Sequence, residues 1–309
     1  MLRAGAFVDR YELLCPIGAG GMAEVWVARH RGAHGFEKLF ALKAIRPESA
    51  GDPTFRAMLL EEARIAAAIV HPHVAQVFDV GDAAGVPFLV MEYVDGDPLG
   101  VLARPQGTVP LAIALRIMAD ACAGLDAAHR STDRSGAPRA VVHRDVSPEN
   151  VLVGVQGEVK IIDFGIAHAS SRTIDDTSFG SLKGKLHYLS PEQALRAPLG
   201  PWTDVFGAGA TLFKVLSGRP AFDGGSPAKT IALLMSREAA PRLPATVPAA
   251  VADIVARALS PDPGDRFPSA GEMSKALERA LSDLDDAPDV GAWVREHLSP
   301  EVWAPPLAT

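Results

Sequence analysis

Three oxygen-bearing side chains stand in order along one stretch of the sequence. Asp145 and Asn150 lie within His143-Arg144-Asp145-Val146-Ser147-Pro148-Glu149-Asn150, and Asp163 opens Asp163-Phe164-Gly165. Phosphoryl transfer calls for these residue types: a carboxylate to orient an attacking hydroxyl, hard oxygen donors for a divalent cation, and little other covalent chemistry. Asp145 suits the first role, Asn150 and Asp163 the second; a turn aspartate is the plainer reading of Asp163 taken alone. Far upstream runs Gly18-Ala19-Gly20-Gly21-Met22-Ala23-Glu24-Val25. Its glycines would let the backbone approach phosphate oxygens closely, though a glycine-rich hairpin turn has the same composition. Lys43, in Ala41-Leu42-Lys43, could pair with phosphates, and Glu62 could hold that lysine by a charge-assisted bond. Solvated surface residues are the alternative for both.

The elements that must position these groups follow from periodicity. Alternation predicts strands at Tyr11 to Leu14, Ala23 to Ala28 and Phe40 to Ile45, then Val74 to Phe78 and Pro87 to Met91. Phe55 to Ile69 has helical spacing and is ended by Pro72. Apolar stripes at helical spacing then mark Leu111 to His129, Trp202 to Leu216, Lys229 to Met235, Ala249 to Leu259 and Ala270 to Leu281. A strand-rich portion followed by a helical one predicts an α+β, two-lobed architecture, with residues 1–96 as the smaller lobe and 97–282 as the larger. Glu92 to Pro98 reads as the joint, where Asp95-Gly96-Asp97-Pro98 breaks regular structure. Residues 283–309 form an Asp-, Pro- and Ala-rich tail, expected to dock on the body through Trp293 and Trp303.

Composition narrows the partners. Against 37 Asp+Glu the chain has 30 Lys+Arg, a net charge of −7, which argues against a nucleic-acid binder. Two cysteines, Cys15 and Cys122, cannot make a disulfide framework and fit a reducing compartment. No apolar run reaches roughly 18 residues and no export signal is visible, so a cytoplasmic protein without a membrane span is expected. The nine histidines show no metal-ligand grouping, and His143 reads as a packed core residue.

Taken together, the motifs resemble the bacterial eukaryotic-like (Hanks-type) serine/threonine protein kinases, from Tyr11 to about Leu281. The resemblance implies a bilobal kinase fold and transfer of the ATP γ-phosphate to Ser/Thr hydroxyls of proteins, its own activation loop included. It implies ATP with Mg²⁺, or Mn²⁺ in its place, held by Asn150 and Asp163. Ile17, Gly18, Ala19, Gly20, Gly21, Met22, Ala23, Glu24 and Val25 would cover the nucleotide, with Ala41, Lys43 and Leu152. Met91 would be the gatekeeper, and Glu92, Tyr93 and Val94 the hinge. Lys43 would pair with Glu62, and Asp145 would be the catalytic base. Glu192, in Ser190-Pro191-Glu192, would pair with Arg266. Asp204 would accept backbone bonds from the catalytic loop, a plain helix N-cap being the alternative. Arg144 implies control by phosphate on the following segment, at Thr173, Thr177, Ser178 or Ser181. Glu149 and Asp97 stand where some relatives meet substrate arginines, and a transient homodimer is a family-level expectation.

Ala23 stands in the place of the third glycine of the phosphate loop, a mild departure from the pattern, and two further positions depart more. Ser147 occupies the place of the usual lysine two residues after the base, and Lys185 the place of the threonine that lysine contacts. The two polar partners look exchanged, with Lys185 expected to supply the cation; a solvated Lys185 is the alternative. The missing lysine leaves strictness for Ser/Thr over Tyr open. Two competing readings are a nucleotide-binding pseudokinase scaffold, which the presence of Lys43, Glu62, Asp145, Asn150 and Asp163 disfavours, and a small-molecule kinase, which Ser190-Pro191-Glu192 disfavours.

Overall fold

The structure, a computed structural model, describes residues 2–20, 23–46, 48–104, 107–133, 135–164, 184–284 and 287–298. Gly21, Met22, Gly165, Trp303 and the four candidate phosphorylation sites, Thr173, Thr177, Ser178 and Ser181, lie outside the described residues. The chain divides into two compact units. Of the described residues, those in 2–70 and 75–95 belong to the first and those in 71–74 and 96–298 to the second.

The first unit is built on six antiparallel strands: β1 (Phe7–Val8), β2 (Tyr11–Ala19), β3 (Ala23–Arg31), β4 (Glu37–Ile45), β5 (Val77–Ala83) and β6 (Val86–Glu92). They lie in the order β1-β2-β3-β4-β6-β5. Side chains alternate across a strand, so β4 serves two faces. Phe40, Leu42 and Ala44 join Tyr11, Leu13, Trp26, Phe88 and Val90 in one apolar cluster. Ile45, on the other face, packs with Leu89 and with Leu59 and Ala63 of the helix Pro53–Ala66. Asp52 starts that helix by accepting a bond from Thr54 N at 2.7 Å, with Pro53 pre-set for the first turn. The expected strand from Val74 is corrected: Val74 makes an isolated bridge to Ile161, and β5 begins only at Val77.

The second unit is mostly helical. Leu111–His129 and Pro201–Ser217 form its centre, with Leu115, Ile117, Phe206 and Phe213 fully buried, each contributing roughly 1.5–3 kcal/mol by leaving water. Pro227–Met235, Ala249–Ala258, Ala270–Ser282 and Val290–His297 complete the longer helices among the described residues. In that last helix Trp293 is buried.

A small sheet, β7 (Gly96–Pro98), β8 (Val151–Gly154) and β9 (Val159–Ile161), crosses this unit. The segment read as an irregular joint is therefore partly a strand. Gly96 pairs with Gly154, and a Cβ on Gly96 would stand 2.1 Å from the Val153 carbonyl oxygen. The glycine that looked like a breaker is what permits the pairing.

Candidate active site

In the first unit, β-strand alternation decides where Lys43 points. It sits between buried Leu42 and Ala44 and faces the side occupied by the helix Pro53–Ala66. Glu62 lies on that helix three residues after buried Leu59 and one before buried Ala63, so the apolar stripe that docks the helix also aims the carboxylate. Lys43 Nζ donates to Glu62 Oε1 at 2.7 Å, with side chains 15% and 17% exposed.

The β2–β3 hairpin brings Gly18 opposite Val25 and Ala19 opposite Glu24, and Gly20 N donates to Ala23 O at 2.8 Å. A Cβ at Gly18 or Gly20 would meet nothing nearer than 3.6 Å and 3.7 Å respectively, so packing among the described residues does not demand glycine there. The open space at both positions is compatible with close approach of a ligand. Ile17 is exposed, and buried Ala41 pairs with Met91 across β4 and β6. Glu92 ends β6, its N–H donating to Gln76 O at 2.8 Å; Tyr93 and buried Val94 follow.

In the second unit, the segment 143–150 is held from beneath. Asp204 lies in the first turn of the helix Pro201–Ser217, whose N-cap is Gly200. Its buried carboxylate accepts from His143 N (2.7 Å), Arg144 N (2.8 Å) and His129 Nε2 (2.7 Å). The N-cap alternative for Asp204 is thereby set aside: its oxygens serve the loop. A Cβ on Gly207 of the same helix would lie 2.9 Å from Val146 Cβ, so the loop rests directly on the helix.

His143 is fully buried. Its Nδ1 accepts from Asp145 N (3.3 Å), which leaves Nε2 as donor to Ile162 O (2.9 Å). Its ring lies 4.8 Å from that of buried Phe164. Arg144 and Asp163 both have positive φ, 68° and 55°. Left-handed backbone at a non-glycine costs energy and persists where surrounding contacts over-determine it.

The side chains that matter converge here. Asn150 Nδ2 donates to Asp145 O at 2.7 Å and to Asp145 Oδ2 at 3.1 Å, which orients the amide and leaves its oxygen as a neutral hard donor. Lys185 Nζ donates to the same Asp145 Oδ2. Leu152 sits on β8 opposite Pro98 and Lys160. Glu149 is exposed in the turn Pro148–Asn150, and Asp97 lies on β7.

The segment that follows is anchored separately. Ser190 and Gln193 form a capping box, and Gln193 Nε2 donates to Arg144 O at 2.8 Å. Glu192 and Arg266 meet in a buried two-bond pair, at 2.7 Å and 2.9 Å, with Thr203 Oγ1 donating to Glu192 at 3.0 Å. Burial works to raise the Glu192 pKa, but the hydrogen bond and charge of Arg266, with Thr203 helping, hold the carboxyl below its ordinary value.

Three contributors escaped the sequence reading: His129, Thr203 and Gln193. Each acts through a tertiary contact with a residue 75, 11 or 49 positions away. His129 was visible only as the end of an apolar stripe.

Comparison with known proteins places these features in context. The family described as "Protein kinase domain" matches residues 11–278. The chain is 37% identical over 300 residues to the Myxococcus xanthus protein named tyrosine-protein kinase MasK, covering 94% of this chain and 46% of that one. It is 37% identical over 293 residues to the Mycobacterium tuberculosis serine/threonine-protein kinase PknB, covering 91% and 45%. It therefore spans less than half the length of these curated relatives. The solved PknI kinase domain of Mycobacterium tuberculosis superposes with a TM-score of 0.67 at 28% identity, covering 92% of this chain and all of that one.

Proposed function

The chain belongs to the protein kinase domain family, with bacterial serine/threonine kinases among its relatives, and from that premise we propose that it transfers the γ-phosphate of ATP to Ser and Thr hydroxyls of proteins. The observation that carries the proposal is the Asp145 carboxylate, fixed by the Asn150 amide on a loop that Asp204 holds from below. Asp145 accepts the proton of the attacking hydroxyl as its oxygen meets the phosphorus. Lys43, aimed by Glu62, binds phosphate oxygens, and the glycine-rich hairpin covers them through main-chain N–H groups. Main-chain groups of Glu92 to Val94 bind the adenine, with Met91 behind them and Ile17 and Ala41 against the ring.

Kinases of this family generally use Mg²⁺, and the donor set fits it: a carboxylate from Asp163 and an oriented amide oxygen from Asn150. The ion supplies charge neutralisation at the phosphates when bound. Arg144, whose Nε is buried without a partner among the described residues, supports control by phosphate on the segment that includes Thr173, Thr177, Ser178 and Ser181. Among the described residues no helix is long and apolar enough to cross a membrane, and Cys15 and Cys122 are free thiols. Both support a cytoplasmic enzyme, where ATP is available, and a transient homodimer would serve phosphorylation of one copy by another.

A second reading concerns the acceptor. The name of the Myxococcus xanthus relative and Ser147 in place of lysine favour tyrosine hydroxyls as additional acceptors. One experiment addresses both: incubation with Mg²⁺ and ATP, followed by phosphopeptide mapping and phosphoamino-acid analysis, against Asp145→Asn. Phosphoserine or phosphothreonine in the wild type alone supports the main reading. Phosphotyrosine alone would replace it by the second, and no phosphate despite bound nucleotide would contradict both.

A further inference from the structure

Resting on the kinase reading, we infer that Lys185 is a catalytic residue of this protein: its ammonium bridges the Asp145 carboxylate and the phosphoryl group in transfer, a charge that position 147 of the catalytic loop does not provide. Ser147 is fully buried, and its hydroxyl has no hydrogen-bond partner among the described residues. It carries no charge and makes no cap for the turn Pro148–Asn150. The cation that meets Asp145 comes instead from Lys185, forty residues along the chain.

The placement is built rather than incidental. Leu186, next to Lys185, is buried, and Ser190 is fully buried. The capping box at Ser190 and the bond from Gln193 to Arg144 O tie the same segment to the residue preceding Asp145. Both anchors lie just C-terminal to the lysine, while its side chain remains 37% exposed. An ammonium has three donors. One is used on Asp145 Oδ2, leaving others for oxygens outside the protein; Asp145 Oδ1 has no partner among the described residues.

Geometry then limits what the ammonium can touch. A hydroxyl bonded to Asp145 lies about 2.7 Å from the carboxylate, and the phosphorus it attacks about 3–3.5 Å beyond. A cation already on Asp145 is within reach of the oxygens on that phosphorus. In the transfer, the hydroxyl oxygen bonds to the γ-phosphorus and its proton passes to Asp145 Oδ1. The bond from that phosphorus to the bridging oxygen breaks, and ADP leaves with the electron pair. Lys185 stays protonated throughout and offsets charge on the equatorial oxygens. Because the cation rides on the segment 184–193, docking of that segment and completion of the site are one event.

The test uses the full chain and five variants: Lys185→Ala, Lys185→Arg, Lys185→Thr, Ser147→Lys, and Ser147→Lys combined with Lys185→Thr. Lys185→Ala is expected to lower kcat by about 10²-fold, the effect of removing one preorganised donor, with the KM for ATP changed less than about threefold. Lys185→Arg should keep part of the rate. The combined variant should recover to within about tenfold of wild type, although each single change lowers the rate, a non-additivity that marks coupled sites. A merely structural lysine would show losses that track melting temperature and that the combined variant does not restore.

A second readout is independent of turnover. An ATP acyl phosphate carries an acyl group on its terminal phosphate; a nearby amine takes that group as an amide, and ATP leaves. Peptide mass spectrometry should find the acyl group on Lys185, prevented by excess ATP, and at position 147 in the combined variant, with Lys43 as the reference. Acylation of Lys43 but not Lys185, or wild-type kcat in Lys185→Ala, overturns the inference and leaves the kinase reading standing. A wild type that binds Mg²⁺·ATP but phosphorylates nothing overturns both.

Discussion

Lys43–Glu62 in the first unit and Glu192–Arg266 in the second are both cation–carboxylate pairs, yet their surroundings differ. Lys43 Nζ donates to Glu62 Oε1 at 2.7 Å, and both side chains keep about a sixth of their surface. Arg266 is fully enclosed and Glu192 is 5% exposed; the guanidinium engages both carboxylate oxygens and also donates to the carbonyls of Ser260, Pro261 and Trp202. A flexible ammonium is a point charge that can be shared with an incoming anion, whereas a planar guanidinium locked by five bonds cannot turn to anything else. The first pair is suited to chemistry and the second to holding the second unit together.

Breaking the second pair should have the largest effect on stability. Arg266→Ala leaves Glu192 buried with its charge uncompensated and is expected to cost about 3–5 kcal/mol, read as a lower thermal or urea midpoint. A midpoint within experimental scatter of wild type would erase the distinction between the two pairs. Glu62→Gln sharpens it from the other side. Loss of the charge that aims Lys43 should reduce phosphoryl transfer roughly tenfold or more, raising the KM for ATP, while stability moves by about 1 kcal/mol or less.

Acid probes the second pair directly. The folded Glu192 carboxyl titrates below its ordinary value of 4.5, so its stabilisation is complete above that pH and is lost as pH falls through the lower folded value. Melting temperature followed below pH 4.5 should therefore fall more steeply in wild type than in Glu192→Gln, which starts lower. Smallest of all, Asp52→Ala removes the cap of the helix that carries Glu62 and should cost about 1 kcal/mol.

Much of the site was legible because its residues cluster in sequence. Asp145 and Asn150 lie five apart, and the structure bonds their side chains directly. Lys43 and Glu62 were readable because a two-residue period and a helical stripe fix which way each points. What escaped depends on tertiary partners. Gly96–Pro98 has the composition of a turn and becomes a strand only because Leu152, Val153 and Gly154 pair with it. Val74 has strand character, but its partner is Ile161 rather than a neighbour in the six-stranded sheet. His129 and Thr203 acquire their roles from the Asp204 and Glu192 carboxylates, which no local pattern announces.

The most direct test is transfer of radiolabelled γ-phosphate by wild type and Lys43→Met, with melting temperatures recorded on the same samples. The expected result, if the lysine serves the phosphates rather than the fold as proposed, is a rate lower by about 10²-fold or more in the variant at nearly equal melting temperature. Equal rates, or a rate that falls only in step with melting temperature, would contradict the assignment of this pair to chemistry.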